Sequence, residues 1–338
     1  MRASTARLTN SSVRLAELAF PHTRRLIHRT RLAFIHLDNL LSFAKRDRDG
    51  RVDAYLVAWL PDECLIVLLR SGEAANAVSL HTGGREVVPI AEALRRMDAE
   101  IERGELAYCT APIEQLAWMF RSCAEPLQMQ ALDARRPDAL FPVLAQERVT
   151  GVLELISNGR VSYMRFDGGR FVGGYFCNRP ESVPVPKYVE SLFRDGPDGQ
   201  APALSAALFP YVAELPPQAP VALVNTYRQL YWRIADAAER EVPGEGLRRA
   251  QRVSASVGVK YRALELLNTP PEAELADSVV QPEELAHALS AWAQQLLEGV
   301  EILMPGTAPK VLKEATREHR FVLQAVVFYD RLPWSVTW

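Results

Sequence analysis

A chain of 338 residues, 48% apolar and 24% charged, can build sizeable cores, which excludes wholesale disorder. Its formal net charge of −2 gives no strong basic or acidic balance that would make nucleic acid or a membrane the main partner. No run of about 18 apolar residues occurs, so no transmembrane helix and no stable membrane insertion are expected.

Charge is nevertheless uneven. Residues 1–31 carry seven arginines against one glutamate, a formal +6, which leaves −8 for the rest. This Arg-rich, Ser-bearing, acid-poor N-terminal segment is like an organellar transit peptide in composition, and reads alternatively as an arm for RNA, anionic lipid or an acidic protein, or as a segment packed on the acidic body of its own chain. Arg14 and Glu17 interrupt its apolar residues, so it does not read as a secretory signal peptide.

A first α+β unit is expected over 32–130. It opens on an apolar helix pattern of Leu37, Leu40, Leu41 and Ala44. Three short β runs follow, with turns at Pro61-Asp62-Glu63 and Ser71-Gly72-Glu73. Pro89 then starts a helix with Ile90, Leu94, Met97 and Ile101 on one face, stopped by Gly104. A strand over 105–109 leads to a helix with Ile113, Leu116, Ala117 and Phe120 inward. A second unit is expected over 131–195, opening on Leu140, Phe141, Leu144 and Ala145. Its β runs are 151–157, 161–166 and 170–177, separated by Asn158-Gly159 and Asp167-Gly168-Gly169. Asn-Gly is the strongest short hairpin signal, because both residues tolerate positive φ.

The two units align without a gap, residues 51–72 over 148–169. Arg51, Val52, Leu56 and Gly72 then meet Arg148, Val149, Leu153 and Gly169. The expected fold class is therefore α+β: two tandem helix-plus-antiparallel-β-meander units followed by an α-helical bundle. A Pro/Gly-rich stretch over 196–220 reads as the linker. The bundle over 221–338 is expected from four apolar faces. These are Val224/Tyr227/Tyr231/Ile234, Val253/Val257/Tyr261/Leu264, Leu285/Leu289/Trp292/Leu296 stopped by Gly299, and a last helix of Leu312, Ala315, Val322, Val326 and Tyr329.

The string Gly151-Val-Leu-Glu-Leu, followed by Val161-Ser-Tyr-Met-Arg-Phe-Asp-Gly-Gly-Arg-Phe-Val-Gly-Gly, resembles the core of the PATAN (PatA N-terminal) domain family. The likeness runs over roughly 137–178 and, more weakly through the repeat, over 36–123. It implies a non-enzymatic protein-interaction module of bacterial two-component, motility or pilus regulation. Its protein partner would be a receiver domain, a GTPase regulator or a motility component.

Local motifs for chemistry are missing from the sequence. Walker A, GxGxxG, GxSxG and HExxH patterns do not occur. The six histidines show no metal-ligand spacing, and His287, between Leu285 and Leu289, reads as a core or boundary residue. Cys64, Cys109, Cys123 and Cys177 lack CxxC spacing and read as buried free thiols of a reducing cytoplasm. The expectation is a cytoplasmic adaptor, not an enzyme, without catalytic residues, cofactor or metal. A homo-oligomer stays open. The partner-binding candidates are Arg165, Asp167, Gly168 and Arg170 at the meander turn, Gly173 and Gly174 in the third β run, and Trp334 and Trp338. A cyclic dinucleotide sensor, with Arg135-Arg136 on the connector, and an effector docking through the basic arm are the alternatives.

Overall fold

The computed structural model describes residues 14–46, 51–123, 137–194, 202, 204–273, 278–325 and 328–337. Two compact units divide at Pro216/Pro217, inside the stretch read as a linker.

The N-terminal unit runs β1 (Arg24–Arg31), α1 (Leu37–Arg46), β2 (Ala54–Trp59), β3 (Glu63–Arg70), β4 (Glu73–His81), β5 (Gly84–Val88), α2 (Ile90–Ala99), β6 (Glu105–Thr110) and α3 (Ile113–Arg121). It continues α4 (Pro137–Gln146), β7 (Gly151–Ser157), β8 (Arg160–Asp167), β9 (Arg170–Phe176), α5 (Val185–Ser191) and β10 (Leu204–Phe209). Among the described residues, one sheet has the order β1-β6-β2-β3-β4-β5 and the other β10-β7-β8-β9, with antiparallel pairing between neighbouring strands.

The internal repeat is explicit in the backbone. Strands β2 and β3 match β7 and β8 at an offset of 97 residues, and the details repeat with it. Ser71 and Gly72 have φ of 50° and 80°, Gly168 and Gly169 of 55° and 81°. These are the paired left-handed residues of a tight hairpin turn. Gly72 N–H donates to Val52 O at 3.0 Å, and Gly169 N–H to Val149 O at 2.8 Å. Asp53 Oδ1 accepts from Ser71 N–H, and Thr150 Oγ1 accepts from Gly168 N–H. A bulge falls between Leu68 and Leu69 and again between Arg165 and Phe166. In each repeat a further strand returns beside the first: β6 on β2 and β10 on β7.

Side chains alternate across each sheet, so each sheet buries two faces. Ala54, Leu56 and Ala58 face α1 and α2 with Ala44, Ala93 and Met97. Leu153, Leu155 and Met164 face α4 and α5 with Leu140, Leu144 and Tyr188. The remaining faces pack on each other: Tyr55, Val57 and Ile66 share one core with Val152, Ile156 and Tyr163. The result is a helix–sheet–sheet–helix sandwich.

Four helices begin directly after a proline. Pro89, Pro112, Pro184 and Pro220 hold φ near −58° with an extended ψ, and each is followed by Ile or Val. The ring fixes φ and removes an N–H that would lack a helical partner at that end.

Several expectations need correction. Of the readings of the basic segment, the free arm falls and the segment packed on its own chain holds over the described residues 14–31. Arg24–Arg31 is an edge strand on β6, and Leu18 and Phe20 are buried between the sheets. The linker over 196–220 contains β10, and Leu215 also enters the inter-sheet core. The first meander carries a further strand, β5, announced only by Thr82-Gly83 before a Val-Val pair.

The second compact unit holds α6 (Val221–Glu241), α7 (Gly246–Gly258), α8 (Ala263–Leu267), α9 (Pro282–Leu303), α10 (Ala308–Thr316) and α11 (Arg320–Ala325). Tyr227, Tyr231, Leu289, Trp292 and Leu296 lie at the centre of its core. The face over 253–264 is split between α7 and α8, and the last helix between α10 and α11. Gly299 does not stop α9. It sits about one turn before the helix end at Leu303, where the Arg249 guanidinium would overlap any Cβ. His287 is exposed.

All four cysteines are buried and free. Burial pushes the Cys123 thiol up to about 12 and the Cys177 thiol up to about 11, and raises Cys64 and Cys109 as well. A thiol neutral in the fold but free to ionise when unfolded contributes its full stability below its ordinary value of 9.0. That contribution is lost as pH rises beyond it toward the folded-state values. Denaturant midpoints should therefore fall above about pH 9, and a thiol reagent at neutral pH should label the chain only on unfolding.

Candidate interaction surface

The turn between β8 and β9 is built by its glycines. Gly168 has open space around it, and Asp167 and Arg170 beside it are exposed. Gly169 packs so closely that an added Cβ would lie 2.8 Å from Ala145 Cα and Leu144 O at the end of α4. One glycine is therefore presented to solvent and the other is fixed by the fold.

Arg165 is not a free charge on this turn. Its Nη1 lies 3.5 Å from Glu114 Oε1, and its guanidinium stacks on Tyr211, 3.9 Å from the ring centroid. Glu114, in the first turn of α3, also accepts from the Tyr175 hydroxyl at 3.0 Å and the Tyr211 hydroxyl at 2.9 Å. Trp118 packs against Tyr175 with ring planes tilted by 58° and donates its Nε1–H to Val212 O. Burial, then the Glu114 hydrogen bond and charge, push the Tyr175 phenol well above its ordinary value. The cluster welds α3 to β8, β9 and the segment after β10.

Gly173 and Gly174 divide the same way. A Cβ on Gly174 would come within 2.4 Å of Tyr163 O on β8, whereas one on Gly173 would meet nothing within 4 Å. Gly174→Ala should cost about 1–3 kcal/mol by forcing β9 off β8, and Gly173→Ala should stay within about 0.5 kcal/mol of wild type in urea unfolding.

Strand β9 lies at the end of its sheet's order, and its N-terminal half is exposed. Phe171 and Val172 are 47% and 55% exposed. In the first repeat the corresponding strand β4 is buried from Ala75 to Leu80 and carries β5 along its outer edge. The second repeat passes from β9 through residues 177–184 directly into α5. An exposed main-chain edge with apolar side chains is a template for strand pairing.

Trp334 is half-buried against the core of its own bundle, with Tyr329 and Val336. Trp338 and Arg135-Arg136 lie outside the described residues. A surface groove of about 420 Å³ is lined by Leu37, Asp38, Leu94, Arg95 and Ile101, with Arg95 paired to Glu92 at 2.8 Å. Among the described residues no three His, Cys, Asp or Glu side chains gather as metal ligands, and no helix is long and apolar enough to cross a membrane.

No family model matches the chain, and neither a curated protein nor a solved structure matches it.

Proposed function

We propose that this protein is a non-catalytic, cytoplasmic bacterial signalling adaptor that works by binding another protein through the β9 side of its second repeat. The observation that carries the reading is the exposed β9 edge, with Phe171 and Val172 in solvent beside the charged Asp167-Gly-Gly-Arg170 turn. The resemblance of residues 137–178 to the PATAN core supports the same reading, and points to two-component, motility or pilus regulation.

Photo-crosslinking from position 171 in the native host, followed by reconstitution with the purified hit, tests it. The expected result is one dominant partner that also binds in vitro and is weakened at least ten-fold by Arg170→Glu. Arg165→Glu is unsuitable, because it would place a second carboxylate against Glu114. A chain that crosslinks no protein from position 171 or from any other probed surface overturns the adaptor reading.

A further inference from the structure

We infer that the β9 edge accepts an extended strand from a partner polypeptide, antiparallel to β9, in the place that β5 fills on β4. The inference rests on the adaptor reading and specifies the chemistry of the partner.

The internal repeat supplies the geometry. At the offset of 97, Gly174 and Phe176 correspond to Ala77 and Ser79, which lie opposite Val88 and Glu86 of β5. The bulge ahead of them is shared, so the register of β9 on β8 reproduces that of β4 on β3. Among the described residues, β9 pairs only with β8. On β8, Ala19 bridges to Arg160 beyond the last pair with β9, so β9 itself ends at Phe176. β5 pairs with Ala77–His81, the equivalents of 174–178, whereas the exposed Phe171 and Val172 correspond to Ala74 and Ala75, so an occupant that covers β9 over 171–176 runs from the place of β5 on toward the turn.

The side chains define what fits. Gly174 holds the place of Ala77, which lies opposite Val88, so a β-branched residue of the occupant packs opposite Gly174, with the open space over Gly173 beside it. Exposed Arg170 stands at one end of the edge, opposite Asp167, and at the other Arg179 lies over the Phe176 ring and donates to Val183 O at 2.6 Å. Acidic residues at both ends of the occupant complete the fit. A second copy is the poorer occupant, since antiparallel pairing of β9 with itself brings Arg170 of each copy toward Arg179 of the other. Main-chain hydrogen bonds would supply affinity, and the alternate side chains specificity.

The test uses the full chain and the labelled peptide Glu-Thr-Val-Thr-Val-Thr-Glu. Two further versions carry N-methyl groups on one or the other set of alternate amides. The expected results are saturable binding, retention by one methylated version and loss by the other. Amide exchange should slow in residues 171–176, and Arg170→Glu should weaken binding about ten-fold, equivalent to about 1.4 kcal/mol. Absence of binding, equal binding by both methylated versions, or protection confined to β1, β5 or β10 would overturn the inference. So would a concentration-dependent dimer whose interface is β9, which would make a second copy the occupant. If the crosslinked partner binds through another surface while the peptide fails, the adaptor reading stands and the strand-addition inference alone falls.

Discussion

Glu154→Ala should destabilise the N-terminal unit by about 3–5 kcal/mol, although Glu154 touches no surface. Its carboxylate, on β7, is held by the Arg85 guanidinium of β5 in a two-pronged pair at 2.6 and 2.9 Å. Arg85 Nη1 also donates to Ser122 O at 3.2 Å. Both side chains are almost fully enclosed, 6% and 3% exposed, between the two sheets. Burial pulls the Arg85 pKa down, and the Glu154 charge and hydrogen bonds more than restore it, so it ends above its ordinary value. Removing the carboxylate leaves a cation without its counter-charge in a low-dielectric core. Arg85→Met/Glu154→Leu removes both charges and should recover most of the loss, since a buried pair gives little net stability over a well-packed apolar one. Urea unfolding of the two single variants and the double variant closes the cycle. A single-variant loss below about 1 kcal/mol would mean that water reaches the pair.

Trp292→Ala should cost the helical unit about 3–5 kcal/mol. The side chain is fully buried on α9, tilted by 30° on Tyr231 of α6 with ring centroids 4.0 Å apart. Its Nε1–H donates to Ala250 O on α7 at 3.2 Å, so one residue ties three helices. Truncation leaves a cavity that those helices cannot all close on at once. Trp292→Phe keeps much of the volume but gives up the hydrogen bond, and its loss should be smaller. Helical circular dichroism through a denaturant titration reads both, and a loss of less than about 1 kcal/mol for the alanine variant would show that the core repacks around the gap.

The hairpins were legible because their turns are local. Ser71-Gly72, Asn158-Gly159 and Gly168-Gly169 all adopt the positive φ their residue types allow. The edge strands were less so. Strand β1 has four arginines among its eight residues and no buried side chain, and its pairing with β6 makes it a strand. β10 follows a proline- and glycine-rich run and is held by β7. In the candidate surface, the exposure of Asp167 and Arg170 followed from the turn, but the pairing of Arg165 did not. Glu114 lies 51 residues away and reaches it only because α3 packs beside β8.

The sequence by itself pointed to the repeat, the hairpin turns and the helix start at Pro89, because each depends on the conformational limits of a few adjacent residues. Only the tertiary structure decided that the two repeats bury their sheets against each other, that Arg85 and Glu154 meet there, and that, among the described residues, β4 has a covering strand where β9 has none. Those outcomes depend on which of two similar sheet faces finds a partner, and alternating side chains leave both faces apolar enough to be buried.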